Sequence, residues 1–150
     1  MENRIILGNN IRILREQKKI SVSDLSKSCN YDRQAISKLE HGEQNASLNK
    51  MIDLAKYFDI YFPLLFEKDF SSQFEYSYID EDYMEIMIDN LKDALQIRNR
   101  YYNSVYSEIG MDPTYFSKIM NQKVTPNLDT ISKLAEFTNI ELVSLFTKGG

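Results

Sequence analysis

The chain carries one pattern twice. DRQAISKLEHGEQNASLNKMIDLAKYFDI, from Asp32 to Ile60, aligns without a gap on DPTYFSKIMNQKVTPNLDTISKLAEFTNI, from Asp112 to Ile140, at a constant offset of 80 residues. Asp32 answers to Asp112, Ile36 to Phe116, Ser37-Lys38 to Ser117-Lys118, Leu48 to Leu128, Leu54-Ala55 to Leu134-Ala135 and Leu65-Phe66 to Leu145-Phe146. Apolar character survives wherever helical spacing asks for a core residue. Upstream the match is thinner, with Ile11 and Leu14 opposite Leu91 and Ala94, and Leu25 opposite Val105. A repeat of this length is a structural module used twice. The 150 residues therefore divide into two small domains rather than one large core.

Each repeat reads as five short helices. In the first, apolar spacing places them near 5–18, 22–28, 33–40, 48–58 and 62–67, with Ser21, Asp32 and Ser47 as N-caps. In the second they begin near 82, 102, 113, 128 and 142, and Asp112-Pro113 supplies an N-cap followed by proline at the first helical position. The turn between the second and third helices falls on Asn30 in one copy and Gly110 in the other, residue types that tolerate positive φ. Gly42 is placed to end the third helix in the left-handed conformation.

The third helix of the first repeat has an unusual outer face. Ile36 and Leu39 share one side, so Arg33, Gln34 and Lys38 point elsewhere, with Ser37 beside them. Two helices joined by a tight turn, the second with long polar reach at its N-terminal end, is the plan by which a helix enters the DNA major groove. Residues 5–66 resemble the helix-turn-helix domain of the Cro and phage-repressor (xenobiotic response element) family. The resemblance rests on IRILREQ in the first helix, the turn, the IS-x-LE-x-G signature and MIDLAKYF in the fourth helix. Residues 82–147 resemble the same domain less closely.

The resemblance implies an all-α chain of two tandem five-helix domains, at 1–68 and 82–150, joined by a linker at 69–81. It implies base reading by Arg33, Gln34, Ser37 and Lys38, and an ion pair between Arg15 and Glu40. Base chemistry supports the first implication independently, since Arg pairs with guanine O6 and N7 and Gln with adenine N6 and N7. Ser21, at a helix N-terminus where free amides favour anions, is a candidate phosphate contact as well as a cap. At the positions of Arg15 and Glu40 the second repeat has Leu95 and Met120, so both charges are absent together. Joint loss is what contact between them would favour, because removing one partner strands the other.

Other substitutions weaken the second repeat as a DNA reader. Arg33 becomes Pro113, Gln34 becomes Thr114, Gly42 becomes Gln122 and Ile20 becomes Arg100, although Lys118 is kept. Thr114 and Lys118 are thus a weaker second candidate site, and assembly or partner binding is the competing role for that domain. Charge is distributed in the same sense. Residues 1–38 hold eight Lys or Arg against four acids, whereas residues 71–150 hold seven against twelve, within a net charge of −4. The basic end attracts phosphate, and the acidic end opposes it.

The 67–85 segment carries seven acids and one Lys, with Phe70, Phe74, Tyr76, Tyr78 and Tyr83 interspersed, more aromatic than a solvated linker needs. FEYSYI at 74–79 alternates like a short extended piece, and YFPLLF at 61–66 is apolar enough to suggest burial against the other repeat or a second subunit. A homodimer and a protein partner reaching residues 61–83 or the second domain follow as expectations. One His and one Cys build no metal site, no glycine-rich phosphate loop exists among five Gly, and no nucleophile constellation is present, so neither cofactor nor enzyme activity is expected. With no apolar run near 18 residues and no signal-peptide pattern, a cytoplasmic location is expected. The function expected is a sequence-specific DNA-binding transcriptional regulator, most simply a repressor. The alternative is a protein-interaction module, an antitoxin or an inhibitor of another macromolecule, on the same fold.

Overall fold

The structure, a computed structural model, describes residues 2–70, 77–97 and 108–150. The chain forms two compact units, residues 1–80 and 81–150. In the first lie α1 (Glu2–Lys18), α2 (Val22–Cys29), α3 (Arg33–Glu40), α4 (Leu48–Phe58) and a 3₁₀ helix (Phe62–Phe66). In the second lie α5 (Tyr83–Ile97), α6 (Pro113–Met120), α7 (Leu128–Thr138) and α8 (Leu142–Leu145). The expected helix near 102, together with Phe74, Tyr76, Arg100 and Val105, lies outside the described residues.

Local chemistry explains most helix ends. The Ser21 hydroxyl accepts from the Asp24 amide while the Asp24 carboxylate accepts from the Ser21 amide, a reciprocal capping box. Ser47 and Asn127 cap α4 and α7 through the amides three residues on. Asn30, with φ 48°, closes α2 in the left-handed region, and Gly42 (φ 74°) follows α3 in the same conformation. Asp32 differs from expectation. It stands at the N-cap of α3, yet its side chain makes no capping hydrogen bond, whereas Asp112 accepts from the Tyr115 amide at 3.1 Å. The fifth element of the first unit is also tighter than expected, because Pro63 sits in its first turn and only five residues are available to it.

The core of the first unit is built from Leu7, Ile11, Leu25, Ile36, Leu39, Met51, Leu54, Phe62 and Leu65, all at most 1% exposed. Here YFPLLF finds its use. Phe62, Pro63, Leu65 and Phe66 are buried by the 3₁₀ helix packing on α1 and α4, so the stretch needs no second subunit to cover it. Tyr83, one of the aromatics of the 67–85 segment, is 1% exposed and opens α5. Near the end of the first unit, the Tyr78 amide donates to Asp59 and Lys56 lies 5.8 Å from the Tyr78 ring centroid.

A buried asparagine ties the first helix of each unit to its last turn. Asn10 Nδ2 donates to the carbonyls of Leu65 (2.8 Å) and Glu67 (3.0 Å), and Asn90 Nδ2 donates to those of Leu145 (2.8 Å) and Thr147 (2.9 Å). These partners also stand 80 residues apart. Carbonyls at a buried helix end are costly to leave unpaired, about 1–3 kcal/mol each, which gives one amide side chain two acceptors to satisfy.

The packing of α1 on α3 has no such counterpart. Gly8 brings the two backbones so close that an added Cβ would lie 2.0 Å from the Leu39 carbonyl oxygen and 3.2 Å from the Glu40 carbonyl carbon. The residue at the matching place in α5 is Ile88, 2% exposed, and α5 packs chiefly on α7 and α8. Gly8→Ala is therefore expected to destabilise the first unit by about 2 kcal/mol, against the usual gain from replacing a helical glycine. A denaturant midpoint at or above that of the parent would show that the contact yields freely.

Candidate nucleic-acid interface

The candidate site is the outer edge of α3. Ile36 and Leu39 anchor the helix in the core, while Arg33, Gln34, Ser37 and Lys38 are all exposed. Among the described residues, no hydrogen bond or ion pair ties down the side chains of Arg33, Gln34 or Lys38. Two long cations and an amide are thus free to meet a partner, with no carboxylate on the same four positions.

The far end of α3 is fixed to α1. Arg15 Nε donates to Glu40 Oε2 at 2.7 Å and Nη2 to Oε1 at 3.0 Å, a two-pronged pair, and Nη1 donates to the Ile20 carbonyl at 2.9 Å. The side chains are 17% and 7% exposed. Hydrogen bonding to Glu40 raises the Arg15 pKa further above its ordinary value, against the opposing effect of burial. Geometry of this kind adds direction to charge, which makes the pair a brace for α3. The expected partners therefore do meet. Their counterparts Leu95 and Met120 are both buried.

Further attachments hold the segments flanking α3, and the sequence reading missed them. Arg4 Nη1 donates to the Glu43 carbonyl at 3.0 Å beyond the helix. Lys50 Nζ donates to the Asn30 carbonyl at 2.6 Å in the turn before it. The Ser26 hydroxyl donates to the Tyr31 carbonyl in the same turn. His41 Nδ1 lies 2.6 Å from the Ser37 carbonyl, and Asn121 Nδ2 donates to the Ser117 carbonyl at 2.8 Å.

Ser21 stands at the N-terminus of α2, and the capping box occupies its hydroxyl oxygen and its amide. Hydrogen bonding from Ser21, its backbone amide first, holds the Asp24 carboxyl below the usual carboxylate range. A phosphate arriving there would meet a neighbouring negative charge. In the second unit, Thr114 and Lys118 share an open depression with Pro113, Ser117, Asn121 and Lys123. Cys29 is buried and desolvation pushes its thiol pKa up, so it behaves as a small apolar core residue.

An α2–turn–α3 pair braced by α1 and α4, with the outer edge of α3 polar and exposed, defines a helix-turn-helix unit. Residues 11–65 match the family model for the helix-turn-helix of the Cro and phage-repressor type, a segment that runs from α1 to the 3₁₀ helix and covers fewer than half of the 150 residues. The match does not extend to the second unit. No curated protein and no solved structure matches the chain. Among the described residues, no helix is long and apolar enough to cross a membrane.

Proposed function

We propose that the protein is a sequence-specific DNA-binding transcriptional regulator that reads the major groove with α3, acting as a repressor in the cytoplasm. The observation that carries this reading is the exposed and untethered set Arg33, Gln34, Ser37 and Lys38 on a helix whose other face is locked into the core. Arg33 and Gln34 supply bidentate partners for guanine and adenine, and Lys38, one turn on, reaches a base or a phosphate. Ser21 is a candidate phosphate contact, set against the negative charge of Asp24 in its capping box. Affinity for mixed-sequence duplexes at two salt concentrations, followed by selection of a preferred site, tests the reading. A steep fall with salt and a preferred site are expected; neither would be seen with an antitoxin or inhibitor that grips only protein.

The second unit is on this reading a divergent copy of the first. In support, Asn10 and Asn90 make the same pair of bonds, Ser47 and Asn127 cap corresponding helices, and Asp59 and Asn139 end them with φ 51° and 57°. Its role is assembly or partner binding, because Pro113 and Thr114 replace the two base-reading side chains. A second DNA site in the depression around Thr114 and Lys118 is the alternative to that role, and losses from both units would favour it.

A single short helix reads few base pairs, so the working form is a homodimer spanning two half-sites one helical turn apart. Burial of Phe62, Pro63, Leu65 and Phe66 weakens the apolar stretch as a reason for pairing, and half-site geometry is what remains. Light scattering of the complex is expected to give the mass of the duplex plus two chains of 17.6 kDa. A strict monomer with and without DNA would replace the dimer by a chain whose two units together mimic one.

A further inference from the structure

We infer that Lys50 and Tyr31 form a strap that sets the angle at which α3 leaves the turn, and so determines base selectivity without touching a base. The inference rests on α3 being the reading helix. Lys50 occupies the third position of α4, where the helix dipole disfavours a cation. Its ammonium is instead spent on the other side of the turn, 2.6 Å from the Asn30 carbonyl at the C-terminal end of α2 and 5.4 Å from the Tyr31 ring centroid. At that carbonyl the dipole of α2 favours a positive charge, and the ring face adds a cation–π attraction.

Tyr31 carries the restraint into the turn. Its carbonyl accepts from the Ser26 hydroxyl and its amide donates to the Ser26 carbonyl at 3.1 Å. One aromatic residue is thus joined to α2 through its backbone and to α4 through its ring and Lys50. Since Asp32 leaves the start of α3 without a side-chain cap, the strap supplies restraint where local capping does not.

The repeat shows what the strap is for. At the positions of Tyr31 and Lys50 the second unit has Met111 and Thr130, so it lacks both the aromatic ring and the ammonium, while Gly110 keeps only the backbone carbonyl that Asn30 offers. Thr130 turns back to its own cap, with its hydroxyl donating to Asn127 at 3.2 Å. The set disappears together in the same copy that has lost the side chains of Arg33 and Gln34. A reading head needs placement within about 0.5 Å, whereas a helix that reads nothing does not.

Lys50→Met, which keeps a long side chain over Tyr31, and Lys50→Arg, which restores a cation and donors, test the strap in the full chain. Binding is measured on a duplex selected from random sequence and on a scrambled duplex, at several salt concentrations, with amide hydrogen exchange at Tyr31 and Ile36. For Lys50→Met the expected result is a roughly tenfold loss on the selected duplex, little change on the scrambled one, an unaltered salt slope and faster exchange at both amides. Lys50→Arg is expected to recover most of each, and the denaturant midpoint to stay near that of the parent. Equal losses on both duplexes, with a salt slope smaller by about 1, would overturn the proposal by making Lys50 a phosphate contact. Unchanged exchange beside an intact preferred site would overturn it alone. Absence of any preferred site in the parent chain would overturn it together with the reading beneath it.

Discussion

Replacing Glu40 with Met is expected to cost the first unit about 3 kcal/mol, and replacing Arg15 with Leu at the same time is expected to return much of that loss. The single change leaves a guanidinium that is 17% exposed with one carbonyl, that of Ile20, as its remaining hydrogen-bond partner among those it makes in the parent chain. Burying a charge without its counter-charge is what makes one-sided removal expensive, and the lower end of the range applies because Arg15 keeps some contact with water. The double change reproduces the Leu95 and Met120 of the second unit, where both side chains are buried without strain from an unpaired ion. A coupling of opposite sign to the single losses is the signature of a pair acting as one unit. Denaturant midpoints for the two single variants and the double decide the matter. Losses that simply add would mean that the residues act independently, despite the two-pronged geometry at 2.7 and 3.0 Å.

The helices themselves were largely legible. Apolar residues at helical spacing, together with Ser21, Ser47, Asn30 and Gly42, mark the ends of α2, α3 and α4 to within about a residue. Legibility failed where the deciding contact is distant in sequence. YFPLLF looked like an interface because nothing local says that Phe62 and Leu65 face α1, or that Asn10 waits for the carbonyls of Leu65 and Glu67. Asn10 and Asn90 could have been noticed, since a polar residue repeated at offset 80 inside an apolar stripe asks for a buried partner. Gly8 also left a trace, as a helical glycine answered by Ile88 at the offset of 80 residues. That trace could not reveal a carbonyl oxygen 2.0 Å from an absent Cβ.

The candidate site divides in the same way. Exposure of Arg33, Gln34, Ser37 and Lys38 follows from the burial of Ile36 and Leu39, so it could be read from one helix alone. The strap and the Arg4 brace depend on where α4 and the N-terminal turns of α1 come to lie, and chain pattern does not encode that directly. Asp32 illustrates the limit at short range, because residue type made it an N-cap and its side chain makes no capping bond, although Asp112, with nearly the same backbone angles, does.

The largest effect on DNA binding is expected from Arg33→Ala combined with Gln34→Ala, which removes both bidentate partners. Each is worth about 1–3 kcal/mol of discrimination, so the pair should lower affinity for the preferred duplex by about 2–6 kcal/mol while leaving binding to scrambled DNA much less affected. Lys38→Ala should weaken specific binding by a similar amount to one such contact, or chiefly reduce the salt slope if it meets phosphate. Thr114→Ala should change little, because Pro113 offers no bidentate partner beside it and the acids of the second half oppose approach to the duplex. Lys118→Ala is the sharper control, since its ammonium occupies the place that Lys38 holds in the first unit. The decisive measurement is therefore the affinity of these four variants and the parent for the selected and the scrambled duplex, with folding checked by circular dichroism. The account predicts large, sequence-dependent losses at positions 33, 34 and 38 and near-parental binding for Thr114→Ala and Lys118→Ala. Comparable losses from both units would contradict the division between reader and partner, and losses from neither would contradict DNA reading by α3 altogether.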